Sequence, residues 1–258
     1  MSFEKIQKIK RKKNNSKIVC LTAYSKKYAQ LLDDNCDIVL VGDSVANVLY
    51  GMKNTSLVSL VTIINHAKAV RAGLKKALMV VDMPAGTYRN IREAKKNAKY
   101  IMKETKCDAV KIESNLMNFK IIKSLVKSKI PVMGHIGYTP QFKKKFRIFG
   151  KKKSEKNKLL NEAKLIEKAG AFSLVLECLT QSAAQFVTSK LKIPTIGIGS
   201  SSSCNGQILV TDDMLGLSGF YPKFVKKYLN LNKIILKAVK KYKHDILNEK
   251  FPKKKHTY

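Results

Sequence analysis

Residues 37–43 read DIVLVGD, a short run of Ile, Val and Leu that ends in glycine and aspartate. Such a run is apolar on both faces, as a strand buried on both sides of a parallel sheet should be. Seven further runs are also short, rich in Val and Ile and mostly apolar, so we predict eight strands. The other seven are KIVCLTA (17–23), ALMVVDM (77–83), DAVKIES (108–114), IPVMGHI (130–136), FSLVLEC (172–178), IPTIGIG (193–199) and the weaker QILVT (207–211).

Amphipathic stretches separate the apolar runs, which is typical of βαβ units around a parallel sheet. The expected helices lie at 25–35, 59–73, 91–105, 116–128, 155–169 and 180–190, with one or two more within 222–247.

Eight strands with intervening helices in 258 residues have the size of a (β/α)₈ barrel. An open doubly wound sheet also fits the alternation, but it usually has fewer strands and a Gly-rich first turn. Here YSKKY follows the first strand without any glycine. We therefore predict an α/β fold, a single-domain (β/α)₈ TIM barrel over residues 1–258 with extra C-terminal helices. Residues 1–16 form a basic N-terminal segment, and residues 248–258 form a basic C-terminal tail.

The composition favours a cytoplasmic protein. Hydrophobic residues make up 45% of the chain, yet no stretch approaches the ~18–20 apolar residues of a membrane span. No apolar region follows the basic N-terminus, so we expect no secretory signal. The five cysteines are scattered and form no CxxC pair, which argues against a disulfide framework.

The formal net charge of +33 allows two interpretations. Clusters of Lys and Arg at 5–17, 143–153 and the C-terminal tail are compatible with nucleic-acid binding, since such clusters neutralise phosphates. Lysine is nevertheless spread over nearly every expected helix, and neither Arg forks nor interleaved aromatics are prominent. We favour compositional drift and expect no nucleic-acid or membrane partner.

Acidic residues recur where the expected strands end. The chain has only 18 Asp and Glu residues, yet Asp43, Asp82, Glu113 and Glu177 all end apolar runs, as does His135. Any one of these carboxylates could be a helix N-cap, but capping explains four of them poorly. In a barrel, the C-terminal ends of the strands carry the catalytic groups. The pattern therefore predicts an active site.

Converging carboxylates repel one another, so this site needs a cation or a shared proton. Oxygen ligands without a Cys or His cluster favour Mg²⁺ or a related divalent ion. Lys111 and Glu113 are two residues apart and share one strand face, so Lys111 is expected to bind a substrate anion or to act as a Schiff-base nucleophile. Ser44 can hold a substrate oxygen beside Asp43. The loop GIGSSSSCNG (197–206) is either a phosphate cradle or a plain connector.

Several ordered motifs resemble those of the ketopantoate hydroxymethyltransferase family. They extend from about residue 17 to 220 and comprise LTAY, VGDS, VVDMPAGTY, AVKIE, PVMGHIGYTPQ, LVLEC, IPTIGIG and CNGQILVTDDMLG. The resemblance implies a metal-dependent barrel enzyme that forms a homo-oligomer, since members of the family are usually decamers. It also implies the family's reaction, in which a hydroxymethyl group is transferred from 5,10-methylenetetrahydrofolate to 3-methyl-2-oxobutanoate to form 2-dehydropantoate, on the route to pantothenate and coenzyme A.

The resemblance also implies residue roles. Asp43, Asp82 and Glu113 are expected to bind the metal, and Asp43, Ser44, Asp82 and Lys111 to contact the keto acid. Glu177 is expected to be the proton acceptor that generates a metal-stabilised enolate, with His135 in a supporting role.

Two other functions fit parts of the pattern. One is another metal-dependent α-keto acid lyase or aldolase on the same barrel, which would need no folate. The other is a basic nucleic-acid-binding protein, whose binding would be tested against salt concentration.

Overall fold

A computed structural model describes residues 2–114, 118–143, 145–219 and 221–258. Eight parallel strands form a closed barrel in which each strand pairs with the next and β8 pairs with β1. All eight predicted strands are confirmed, with ends shifted by one or two residues. They are β1 (Ile18–Thr22), β2 (Ile38–Val41), β3 (Leu78–Asp82), β4 (Ala109–Glu113), β5 (Val132–Gly137), β6 (Ser173–Glu177), β7 (Thr195–Ile198) and β8 (Gly206–Leu209).

Helices follow the strands, and all six predicted between strands are confirmed. The α-helices are α1 (Ser2–Arg11), α2 (Lys26–Leu32), α3 (Val45–Val48), α4 (Leu60–Arg71), α5 (Ile91–Thr105), α6 (Phe119–Lys127), α7 (Lys153–Lys168), α8 (Gln181–Lys190), α9 (Thr211–Leu215) and α10 (Leu231–Leu247). The prediction for α6 began at residue 116, and residues 116 and 117 lie outside the described part. Helices α1, α3 and α9 were not predicted.

Alternate strand residues build two separate apolar layers. On β2, Ile38 and Leu40 belong to the barrel interior, whereas Val39 and Val41 pack in the layer that includes the surrounding helices. Because successive strand residues point to opposite faces, a strand between two apolar layers must be apolar throughout. This explains why the strands read as continuous hydrophobic runs.

Part of the basic N-terminal segment forms helix α1, which packs against the barrel. Its Ile6 and Ile9 are buried within the interior cluster of the barrel. The Lys5 ammonium donates to the carbonyl of Ala77 at 3.0 Å, and the Ser2 hydroxyl donates to Asp108 at 2.7 Å. Ala77 and Asp108 directly precede β3 and β4, so α1 packs at the N-terminal end of the barrel, opposite the predicted site.

Several acidic residues at that end have a structural role. Asp33 accepts hydrogen bonds from the backbone N–H groups of residues 75, 76 and 77 at 2.9, 2.8 and 3.0 Å. Asp108 accepts one from Met79 N–H at 2.9 Å. These carboxylates satisfy backbone donors where strands begin, which distinguishes them from the acids at the strand ends.

The chain divides into two compact units, Met1–Val210 and Thr211–Tyr258. The first contains the barrel; the single domain expected over the whole chain stays a prediction. Within the second unit, the Tyr228 N–H donates to the Met214 carbonyl at 2.9 Å, and the Asn230 side chain caps α10 through the N–H of Lys233. Of the one or two C-terminal helices predicted within 222–247, α10 is present, and the unpredicted α9 precedes that range. No described helix has the length and apolarity that crossing a membrane requires.

Candidate active site

The four acidic residues singled out in the sequence lie at strand ends of the barrel. Asp82, Glu113 and Glu177 are the last residues of β3, β4 and β6, and Asp43 follows β2 after Gly42. In a closed parallel barrel, these ends meet at one mouth. Asp43, Asp82 and Glu113 are buried, with 6%, 2% and 1% of their surface exposed, whereas the Glu177 side chain is 19% exposed. Glu177 is therefore the most accessible of the four.

Gly42 permits a close contact between the first two of these acids. The backbone N–H of Asp43 donates to Asp82 Oδ2 at 2.9 Å. A Cβ atom on Gly42 would lie 2.9 Å from Ser44 Oγ and 3.5 Å from Asp82 Oδ2. A larger residue would therefore crowd Ser44 and the Asp82 carboxylate.

Lys111 forms a buried ion pair with Asp82. Its Nζ lies 2.8 Å from Asp82 Oδ1, and the two residues are register partners on β4 and β3. Burial raises the pKa of Asp82 to about 6, against the lowering effect of Lys111. Burial by itself would lower the pKa of Lys111, but Asp82 and the neighbouring carboxylates outweigh it and raise that pKa. Both members of the pair are therefore charged at neutral pH. As predicted, Lys111 faces the interior with Glu113.

The Ser44 hydroxyl is available at the start of α3. It makes no capping hydrogen bond to that helix, and its Oγ lies 2.7 Å from the Tyr24 hydroxyl. The Tyr24 hydroxyl therefore orients Ser44 within the site.

His135 lies between Glu113 and Glu177. Its Nδ1 is 3.7 Å from Glu113 Oε1, and its Nε2 is 3.2 Å from Glu177 Oε2. Burial and Lys111 lower the pKa of His135 well below its ordinary value, so the ring is neutral at pH 7. Burial raises the pKa of Glu177 to about 8. Burial, with the nearby charge of Asp43, also raises the pKa of Glu113.

Two polar residues of this mouth were missed in the sequence. The Gln141 side-chain amide donates to Asp43 Oδ2 at 2.8 Å, and its backbone N–H donates to Glu113 Oε2 at 2.9 Å. The Tyr88 hydroxyl donates to Gln141 Oε1. Both lie in quoted motifs, VVDMPAGTY and GHIGYTPQ, but neither carries a charge and neither ends a strand, so charge placement did not reveal them.

The loop 197–206 is held by hydrogen bonds to residues of other strands or of the segments next to them. Lys17 Nζ donates to the carbonyls of Ser202 and Cys204 at 2.7 and 2.6 Å, and Ser200 Oγ donates to the Leu176 carbonyl at 2.7 Å. These bonds attach the loop to the ends of neighbouring strands.

The electrostatics of the mouth favour a cation. The Lys111 ammonium pairs with Asp82 and also interacts with the charges of Asp43 and Glu113, and the buried Glu113 Oε1 has no hydrogen-bond partner among the described residues. Within the described part of the chain, no three Asp, Glu, His or Cys side chains form a group that could hold a metal ion together. An ion here would keep several water or substrate ligands, as Mg²⁺ commonly does. The donor set, all oxygen, fits such an ion.

Comparison with known proteins identifies the family. The sequence model of ketopantoate hydroxymethyltransferase matches residues 2–254. The chain belongs to the ketopantoate hydroxymethyltransferase family. It is thus a member of an enzyme family, and the resemblance of its motifs is confirmed.

Curated members of this family are similar along their whole length. The chain is 51% identical to 3-methyl-2-oxobutanoate hydroxymethyltransferase of Pelagibacter ubique over 255 residues, which is 99% of each chain. It is 46% identical to the enzyme of that name from Anaplasma marginale, covering 97% of this chain and 91% of the relative.

Solved structures with the same fold are distant in sequence. A phosphonopyruvate hydrolase in complex with oxalate and Mg²⁺ matches with a TM-score of 0.64 at 11% identity, covering 98% of this chain and 93% of the other. A 2,3-dimethylmalate lyase of the PEP mutase/isocitrate lyase superfamily matches with a TM-score of 0.58 at 15% identity over 80% of each chain. At these identities the likeness confirms the (β/α)₈ barrel alone.

Proposed function

We propose that this protein transfers a hydroxymethyl group from 5,10-methylenetetrahydrofolate to 3-methyl-2-oxobutanoate and forms 2-dehydropantoate for pantothenate and coenzyme A synthesis. The observation that carries this proposal is the division of the acids at the barrel mouth, in a chain of this family. Asp43, Asp82 and Glu113 are almost completely buried, whereas the Glu177 side chain is 19% exposed.

Asp43, Asp82 and Glu113 are the residues proposed to hold Mg²⁺ or a related divalent cation. The orphaned Glu113 Oε1 and the excess of negative charge support this assignment. Because no three of the described side chains converge on one point, some of these oxygens would act through water. When bound, the cation withdraws electrons from the 2-oxo group of the keto acid and acidifies its C3 hydrogen.

Lys111, Ser44, Asp82 and Asp43 are proposed to orient the keto acid. The Lys111 ammonium has three donors, one of which is directed at Asp82, so it can also bind an oxygen of the substrate. The Ser44 hydroxyl, held by Tyr24, offers a second polar contact at the same mouth. Together these groups position the substrate with C3 toward Glu177.

Glu177 is the proposed general base. Burial raises the pKa of its carboxyl to about 8, which makes the carboxylate a stronger proton acceptor than an exposed glutamate. It takes the C3 proton, and the neutral ring of His135 lies 3.2 Å from it without a hydrogen bond between them. The enolate of the keto acid then forms a C–C bond to the one-carbon unit of the folate. Both bonds from that carbon to the two folate nitrogens break, and one water supplies the hydroxyl oxygen. The C3 proton and the remaining proton of that water end on the two nitrogens of the departing tetrahydrofolate.

The cytoplasmic location and the oligomeric state of the enzyme are part of the same proposal. All five cysteines are buried free thiols, which suits the reducing cytoplasm. The homo-oligomer implied by the family resemblance is likewise proposed.

The decisive assay measures 2-dehydropantoate formed from 3-methyl-2-oxobutanoate in four reactions, with and without methylenetetrahydrofolate and with and without a metal chelator. We expect product only when folate is present and chelator is absent. Turnover of the keto acid without folate would indicate a lyase or aldolase instead. Full activity in chelator would refute the metal assignment alone.

A further inference from the structure

Gln141 connects two of the carboxylates assigned to the metal. Its side-chain Nε2 donates to Asp43 Oδ2 at 2.8 Å and to the Met83 carbonyl at 3.1 Å. Its backbone N–H donates to Glu113 Oε2 at 2.9 Å. One residue therefore holds one oxygen of each carboxylate and leaves Asp43 Oδ1 and Glu113 Oε1 to other partners.

The orientation of the Gln141 amide is determined by its neighbours. Asp43 and the Met83 carbonyl can only accept hydrogen bonds, so they select the NH₂ group. The Tyr88 hydroxyl donates to Oε1 from the other side. Tyr88 is buried, and burial together with the charge of Glu113 raises its pKa, so its hydroxyl stays protonated and remains a donor. A rotated amide would direct its oxygen at Asp43 and the Met83 carbonyl, and its NH₂ at the Tyr88 hydrogen.

We propose that Tyr88 and Gln141 form a positioning pair that sets the rotamers of Asp43 and Glu113 for binding of the divalent cation. The inference rests on the proposed function, because it concerns the ion assigned there. The Tyr88 hydroxyl also interacts with the backbone of Glu113, and it reaches the side-chain carboxylates through Gln141. Partners that orient metal-binding carboxylates in this way typically change metal affinity about 10- to 100-fold when they are removed.

The test compares metal binding by the full-length protein and by matched variants in the absence of substrate. Q141M keeps the length of the side chain and the backbone bond to Glu113 but removes the amide. Y88F removes only the hydroxyl. Two controls make the same substitutions at exposed positions, Gln185→Met on α8 and Tyr100→Phe on α5. Mg²⁺ affinity is measured by titration calorimetry, and Mn²⁺ coordination by electron paramagnetic resonance.

We expect Q141M to weaken Mg²⁺ binding by about 10- to 100-fold and to change the Mn²⁺ spectrum. Y88F should weaken binding in the same direction by less, with unchanged thermal unfolding of the metal-free protein. The double variant should match Q141M to within about twofold, because Tyr88 reaches the two carboxylate side chains through the amide. In steady-state assays of Q141M, the Mg²⁺ concentration that gives the half-maximal rate should increase by a larger factor than the factor by which the rate at saturating Mg²⁺ decreases.

Three results would overturn the proposal. The first is an Mg²⁺ affinity of both Q141M and Y88F equal to that of the controls. The second is a double variant in which the two losses multiply, since Tyr88 would then act independently. The third is wild-type protein that binds no divalent ion, which would refute the metal assignment itself and is distinguished from the first by the wild-type titration.

Discussion

Replacement of Glu177 by glutamine isolates its role as a base. The side chain ends β6 with Oε2 at 3.2 Å from His135 Nε2. Glutamine has nearly the same shape, so the substitution removes the capacity to accept a proton while the packing of the site remains. Asp43, Asp82 and Glu113, the carboxylates proposed to hold the metal, are untouched.

The expected loss follows from the environment of the carboxyl. Burial raises the pKa of Glu177 to about 8, so its carboxylate is well matched to proton abstraction near neutral pH. A positioned general base typically contributes about 10²- to 10⁴-fold in rate. This corresponds to about 2.7–5.4 kcal/mol of activation free energy. We expect E177Q to lose that much of kcat and to bind Mg²⁺ as the wild type does.

The assay is exchange of the C3 proton of 3-methyl-2-oxobutanoate in deuterated water, followed by proton NMR with metal present and folate absent. This step needs the base and the cation but no folate, so it separates proton abstraction from one-carbon transfer. Glu104→Gln on the surface of α5 is the matched control and should exchange at the wild-type rate. Undiminished exchange in E177Q would show that another group is the base.

Three further predictions concern pH, backbone geometry and stability. For the wild type, kcat/KM should rise with pH along a limb with an apparent pKa no higher than about 8, because Glu177 must be ionised and a bound cation lowers its pKa; a pH–rate profile that lacks this limb contradicts the assignment. Gly137→Ala should lower kcat by about 10²-fold through displacement of the base, since a Cβ there would lie 2.1 Å from the Glu177 carbonyl oxygen at a φ of +99°; steady-state kinetics near wild-type values would refute this. Burial by itself would raise the pKa of Asp33, but its three backbone donors lower it on balance. Asp33→Asn should therefore reduce the free energy of unfolding by about 1.5–3 kcal/mol. That loss should be full above the ordinary pKa of 3.8 and should decrease as the pH falls through the lower pKa of the folded state. Urea unfolding at neutral pH and at a pH below 3.8 measures it, and a loss that does not change with pH would exclude the charge effect.

The fold was predictable because its signal is local and repeated. Strands buried between two apolar layers read as short Val- and Ile-rich runs, as in Ile38–Val41, and amphipathic stretches mark the helices between them. Helix α1 was not predicted because most of its residues are charged or polar and only Ile6 and Ile9 are buried. Helix α3 is a four-residue helix, too short for a periodic pattern.

The site was predictable only in part. Charged side chains at strand ends stand out in an acid-poor chain, so Asp43, Asp82, Glu113, Glu177 and Lys111 were found, and the structure places them together at the barrel mouth. Gln141 is neutral and lies beyond the end of β5. Its two carboxylate partners are 98 and 28 residues away in sequence, so no local pattern marks it.

The sequence by itself determined the eight-strand barrel, the end of the barrel that carries the chemistry and the family to which the chain belongs. These depend on hydrophobic periodicity and on motif order, which every segment displays before folding. Only the tertiary structure decided how the acids differ. Three became almost completely buried and Glu177 stayed partly exposed, and desolvation raised the pKa of Asp82, Glu113 and Glu177. Desolvation and charge proximity arise only when distant strand ends meet. The same closure brought Gln141 against Asp43 and Glu113, and Tyr88 against Gln141.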